Sequence, residues 1–352
     1  MPSGQKHSTQ HEITRPGPLH RPDGTLAEAG YARAPLLDYR PEAIRVLGSR
    51  RLGRLRLKEW DYYGVLDGRR FLGTAVSHGG YAGVVFVYWI DFERGLMVED
   101  RVLTPLGRGV DLPRTSATGD VEFRRGGISL EFRIETDGRR LRIHWPRFAG
   151  EGDLDADIRL AASNRDTGIV MATPMEGAGF YYNHKINALP ASGTVSLGGS
   201  RYAFRPDEAL GTLDWGRGVW PYRTFWNWAT GHGRLADGRL VGLNLGKGFG
   251  DLRAATENAF FVDGRLHKLG GLEFRYDPAD FMKPWSLMSP DGGAALTFTP
   301  IFERIDRVRL GIVASESHQL FGRFTGRLAS EDGTEIEVPG VLGWAEEHRA
   351  RW

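Results

Sequence analysis

An all-β chain organised as two antiparallel barrels in tandem is what this sequence predicts, and three observations lead there. Its 352 residues exceed what one ordinary core holds together, so two units are expected. The dipeptide Asp-Gly recurs at Asp67-Gly68, Asp137-Gly138, Asp237-Gly238, Asp263-Gly264, Asp291-Gly292 and Asp332-Gly333; both residues tolerate the positive φ that tight hairpin turns demand. Between these turns the apolar residues repeat with a period of two.

Residues 1–44 are expected to form an extended arm. Pro16, Pro18, Pro22, Pro35 and Pro41 punctuate a stretch whose apolar residues are Leu19, Leu26, Leu36 and Leu37, enough to lie across a core but too few to make one. The first barrel is expected over 45–205, and a meander is its plainest part. Val121 and Phe123 alternate with Glu122 and Arg124; Leu130, Phe132 and Ile134 with Glu131, Arg133 and Glu135; Leu141, Ile143 and Trp145 with Arg142 and His144. One face of such a meander is buried and the other wet. Pro206, Asp207, Glu208 and Gly211 place the boundary at 205/206. The second barrel is expected over 206–352, where alternation returns with different residues. Trp226 and Trp228 flank Asn227, while Leu320, Phe324 and Leu328 share a parity with Gly322 and Gly326, glycines that mark a curved strand. Its end reads differently. Val341, Trp344, Ala345, His348 and Trp352 fall at helical spacing after Pro339-Gly340, which predicts a short C-terminal helix with Glu346, Glu347 and Arg349 facing water.

Composition narrows the function classes. Hydrophobic residues at 41% and charged residues at 26% disfavour disorder. Lys+Arg 46 against Asp+Glu 44 leaves a formal net charge of +2, without the basic excess of a nucleic-acid binder, so no nucleic-acid partner is expected. Cysteine is absent, which removes disulfides, thiol nucleophiles and thiolate metal sites. The longest apolar run, 83–90, falls short of the ~20 residues of a membrane-spanning helix, so no membrane span is expected. The polar first twenty residues lack the apolar core of a secretory signal, so a cytoplasmic protein is expected. There is no Gly-x-Ser-x-Gly elbow, His-Glu-x-x-His pair or phosphate loop, and the histidines are scattered; neither a metal nor a cofactor is expected.

Aromatic side chains crowd around charged ones in three segments. The densest runs from Asp214 to Trp228 and includes Trp215, Arg217, Trp220 and Trp226. Tryptophan is large and needs a partner for its indole N–H, so this crowding implies a pocket wall or a seal between the two halves. Glu59 and Trp60 mark the second segment, and Tyr182, Asn183 and Lys185 the third. Asn244, Glu257, His318 and Gln319 supply further polar groups. A carboxyl group buried among rings has its pKa raised and serves as a proton donor near neutral pH. Asp214, Arg217 and Glu59 are therefore the catalytic candidates, with Asp214 as donor. The substrate-binding candidates are Trp60, Tyr182, Asn183, Lys185, Trp215, Trp226, Trp228, Asn244, Glu257, His318 and Gln319. A structural ion pair between Asp214 and Arg217 is the competing explanation.

The motifs Lys58-Glu59-Trp60-Asp61-Tyr62-Tyr63, Tyr182-Asn183-His184-Lys185-Ile186-Asn187, Asp214-Trp215-Gly216-Arg217-Gly218, Thr256-Glu257-Asn258 and His318-Gln319-Leu320-Phe321-Gly322 together resemble the family catalogued as domain of unknown function 2804, over nearly the whole chain. More distantly, the Asp-x-Gly turn followed by Trp-x-Trp is similar to the carotenoid hydratases and tocopherol-cyclase-like proteins. That resemblance implies two lipocalin-like barrels, and the chemistry of protonating an isoprenoid alkene before capture by water or an internal hydroxyl. Three function classes are thus expected. The first is a cofactor-independent acid–base enzyme, a hydratase, cyclase or isomerase, acting on a hydrophobic small molecule, with Trp226, Trp228 and Tyr182 as cation-stabilising walls. The second is a non-catalytic lipocalin-like carrier of a hydrophobic ligand. The third is a carbohydrate-active protein that pairs Asp214 with Glu257 or Glu59.

Overall fold

The computed structural model describes residues 10–162 and 168–352; the first nine residues of the expected arm lie outside that range. Two large antiparallel sheets account for most of the chain. In the first, the hairpin strands Leu96–Pro105, Ala82–Asp91, Arg70–His78 and Leu57–Leu66 lead to Leu210–Val219, then to Phe180–Leu197 and Leu154–Ala161, and finally to the predicted meander of Gly138–Trp145, Ile128–Glu135 and Val121–Arg125. In the second, nine strands run in the order Arg265–Lys268, Ala259–Val262, Leu240–Lys247, Arg223–Arg234, Glu335–Arg351, Val313–Ala329, Ala294–Leu310, Trp285–Met288 and Glu273–Arg275. Each sheet curls around its own apolar core, giving two lipocalin-like half-barrels in tandem.

Alternation is what buries the right side chains. In the meander Leu141 lies opposite Phe132 and Ile143 opposite Leu130, so all four share the core face while their charged neighbours stay wet. Of the six Asp-Gly pairs only Asp263-Gly264 takes positive φ at both residues, +47° and +77°; at the other five the aspartate stays outside the left-handed region, and at Asp67 its side chain shapes the turn instead, Oδ1 accepting from the backbone N–H groups of Arg69 and Arg70. Residues Ile13, Leu19, Leu37 and Tyr39 are buried in the first core, and Gly30–Ala32 adds a short strand to Gly168–Pro174. Gln10 bonds Thr256 and Leu269, tying the arm to the second half as well.

Two expectations are corrected. There is no C-terminal helix: Glu335–Arg351 is a 17-residue strand, paired with Arg223–Arg234 on one side and Val313–Ala329 on the other. The segment carries both periods, and the ladders that flank it on both sides from Leu342 to Arg351 decide between them. The boundary at 205/206 also falls one strand early. Leu210–Val219 lies between Leu57–Leu66 and Phe180–Leu197 in the first sheet, so the chain crosses to the second sheet at residues 220–222; Pro206, Asp207 and Glu208 form a turn within the first, and Gly211 already belongs to the strand. Among the described residues no helix is long and apolar enough to cross a membrane.

A third apolar cluster seals the two sheets together. Tyr62, Phe71, Tyr88, Tyr181, Trp228, Phe321 and Trp344 meet there. Large rings lie this close to a backbone only where a side chain is missing, and Gly73 shows it: a Cβ there would stand 2.2 Å from the Tyr88 ring.

Candidate functional site

Residues an even number apart on a strand share a face, and this rule divides the candidate list. On Leu210–Val219, Leu213, Trp215 and Val219 point into the first barrel's core, so Arg217 does too, while Asp214 points to the seam between the sheets. Arg217 and Asp214 therefore make no pair. Arg217, with no exposed surface, bonds Asp61 at 2.8 Å and the carbonyls of Trp60, Gly216 and Pro113, lies 4.1 Å from the Trp215 ring and approaches Glu59 at 3.5 Å. Glu59 accepts from Tyr39 of the arm. Tyr182 meets Trp215 edge-on and donates to the Leu37 carbonyl. Glu59, Arg217, Trp215 and Tyr182 thus form a buried cluster inside the first barrel. His318 is likewise separated from its neighbour Gln319: it lies against Phe281, with Nδ1 bonded to Glu303.

The remaining candidates converge on the seam, in two cross-strand rows. In the first sheet Lys185, Asp214 and Tyr62 lie opposite one another. In the second, Gly246, Trp228, Glu346, Gln319 and Arg304 do so. The rows are joined at one end by Lys185, whose Nζ is 2.8 Å from Asp214 Oδ2 and 3.9 Å from the centre of the Trp228 ring. At the other end, Tyr62 and Tyr88 share a hydrogen bond and Tyr88 donates to Gln319. Glu257 enters from a loop: its Oε2 accepts from Asn183 at 2.7 Å, while Asn244 accepts from Trp228 Nε1 and donates to the Glu257 carbonyl. Trp226 Nε1 donates to Glu346 Oε1 at 3.0 Å. Rings pack around these groups, with Trp60 stacked on Tyr181 and Tyr181 in turn on Phe249. Trp220 packs against Tyr181 and Trp226 and also lines a cleft of about 510 Å³ with Met175, Thr224 and Gly250.

Three carboxyl groups thus feel the Lys185 ammonium, Asp214 by direct contact and Glu257 and Glu346 electrostatically. Burial pushes Glu346 up to about 7, opposed by its bond from Trp226, by Lys185 and by Arg304 and assisted by Asp214. Burial likewise raises Glu257, with Lys185 opposing and Asp214 adding to the effect. Asp214 Oδ1 and Glu257 Oε1 are buried without a hydrogen-bond partner, acceptors that a ligand or a water would satisfy. Among the described residues no group of His, Asp and Glu is arranged to hold a metal ion. Glu346 escaped the sequence reading because the helical period turned it to water; its signal was the parity it shares with Trp344 and His348.

Gly216 gives a direct test of how the ring wall is seated. A Cβ there would stand 2.2 Å from the Trp60 indole, so Gly216→Ala is expected to displace Trp60 and cost about 1–3 kcal/mol, read as a lower urea midpoint at unchanged slope.

A tandem lipocalin-like β protein with a carboxyl–ammonium cluster buried between its halves is the class that fold and site define. Within it, the chain belongs to the family described as Domain of unknown function (DUF2804), which it matches over residues 10–352. Among solved structures it is similar to a candidate AttH from Nitrosomonas europaea, at a TM-score of 0.50 and 15% identity, over 83% of this chain and 92% of that one. It is also similar to kievitone hydratase from Nectria haematococca, at a TM-score of 0.49 and 11% identity, over 84% of this chain and 88% of that one. The first likeness establishes a shared architecture. No curated protein matches the chain.

Proposed function

We propose that the protein is a cofactor-independent acid–base enzyme, of hydratase, cyclase or isomerase type, acting on a hydrophobic small molecule in the seam between the sheets. One observation carries the reading: Asp214, Glu257 and Glu346 all feel the Lys185 ammonium inside an aromatic wall, with Arg304 a further cation for Glu346 and Lys268 for Glu257. Such a cluster retains a proton at neutral pH, because burial penalises each ionised carboxylate and the carboxylates repel one another, against the pull of the neighbouring cations. Glu346 is the donor in this reading. Its pKa of about 7 suits proton transfer near neutrality, and it is only half-buried.

The donor role passes from Asp214, whose ion pair with Lys185 occupies it, to Glu346. The proton goes to one carbon of a polarised C=C bond, and the cation left on the other carbon is stabilised by ring faces and by the remaining carboxylates. Addition of water, with its second proton returned to Glu346, completes a hydration. Attack by an internal hydroxyl gives a cyclisation, and loss of a neighbouring proton an isomerisation. A sugar-cleaving pair of Asp214 and Glu59 has no support, since the two point to opposite faces of the sheet. Native mass spectrometry of protein purified from its own host is the test. A co-purifying apolar molecule is expected, retained by Glu346→Gln; a bound oligosaccharide overturns the reading.

A further inference from the structure

Between Glu42 and Glu59 the chain carries Arg45, Arg50, Arg51, Arg54, Arg56 and Lys58 and no acidic residue, a block of positive charge that the overall balance of +2 conceals. Ser49 caps the short helix Arg50–Arg56 by accepting from the Leu52 N–H. Only Gly53 of this helix is buried, pressed against the Ile44 carbonyl, which a Cβ would meet at 2.6 Å. The helix is therefore held down by its glycine and turns Leu52 and Leu55 outward, each more than a third exposed. Beside it Leu47 stands 92% exposed at the tip of a turn, in the left-handed region at φ +50°.

Leu47 does not stand alone. The end of the helix lies against Gly80, where a Cβ would meet the Leu55 carbonyl at 2.2 Å, and so brings up exposed Tyr81. The Tyr81 carbonyl accepts from the N–H of Leu106, which is itself 63% exposed at φ +54°. Two leucines held at outward turn tips in a backbone conformation that costs energy are not explained by solubility or by packing. Arg45, Arg50, Arg51 and Arg54 take no carboxylate partner among the described residues, and Glu42, three residues before Arg45, is held by Arg114.

We propose that this face docks on an anionic membrane surface, with the leucines entering the headgroup region and the arginines meeting lipid phosphates. Exposed aliphatic tips ringed by unpaired arginines are what such a surface recognises; a nucleic acid would engage the arginines and leave the leucines in water. The face also adjoins the seam. Lys58 sits over the Tyr81 ring at 4.4 Å and reaches toward Trp352, Arg56 donates to the Trp352 carbonyl, and Trp352 packs near Trp226, the donor to Glu346. If the acid–base reading holds, on which this last step rests, docking places the seam where an apolar substrate dissolves.

Vesicle flotation tests the surface without any substrate. The full chain is expected to float with phosphatidylcholine vesicles containing about one-third phosphatidylglycerol and to stay behind with phosphatidylcholine alone, and ~0.5 M salt should release it. The triple change Arg50→Gln, Arg51→Gln and Arg54→Gln should weaken partitioning about 100-fold, and Leu47→Ser with Leu106→Ser about tenfold or more, both with the wild-type melting curve. Wild-type protein that ignores anionic vesicles, or a triple variant that floats like wild type, overturns the proposal. So does a triple variant that loses affinity for duplex DNA when neither protein floats. Glu346→Gln should float normally: if it does so but proves fully active, only the acid–base reading falls.

Discussion

Glu346→Gln should lose turnover and, above pH 7, gain stability. The carboxyl of Glu346 is raised from 4.5 to about 7, chiefly by burial. Its folded state therefore holds the proton more tightly than the unfolded chain does, and ionisation works against folding as pH rises from about 4.5 to 7. Allowing for partial exposure, the full penalty above pH 7 is about 2–3 kcal/mol. Glutamine has no proton to lose and keeps an oxygen for the Trp226 indole N–H. The variant should melt higher than wild type at pH 8 and alongside it below pH 4.5. Loss of general-acid catalysis should slow turnover by ~10²–10⁴-fold. A variant that turns over normally, once a substrate is in hand, removes Glu346 from the mechanism; equal melting at pH 8 removes the electrostatic account of the cluster.

Arg217→Met should instead unfold the protein's first half. The guanidinium is wholly buried and serves Asp61, Glu59 and three backbone carbonyls. Methionine fills much of the volume but answers none of these acceptors, and breaking a buried pair from one side costs about 3–5 kcal/mol. Burial already raises Asp61, with Arg217 opposing. Without Arg217 its carboxyl takes a proton more readily, so the deficit should shrink as pH falls. Urea denaturation at two pH values reads both effects. A folded Arg217→Met protein of wild-type stability that binds ligand but does not turn it over would restore Arg217 to the catalytic list.

Much of this was legible in the chain, and the illegible part has identifiable causes. Alternation and Asp-Gly turns announce the strands because each is a local property. The same alternation separates Asp214 from Arg217, three residues apart and so on opposite faces, and separates His318 from Gln319; being neighbours in sequence is a poor guide to sharing a site on a strand. What alternation does not contain is register. That Lys185 faces Asp214, and Glu346 faces both Trp228 and Gln319, follows from ladders between strands far apart in the chain. Glu346 was hidden further by a segment that reads equally well as helix.

The strand Glu335–Arg351 is synthesised after both of the strands it joins. Until it leaves the ribosome, Arg223–Arg234 and Val313–Ala329 each present an unpaired edge, the kind of edge that recruits other chains. The second half-barrel is thus a structure in waiting during translation, dependent on whatever shields those two edges. Because Glu346 and Trp344 arrive together on the closing strand, the acid enters the seam only when the sheet is complete, in the same step that adds the last large ring to the aromatic wall.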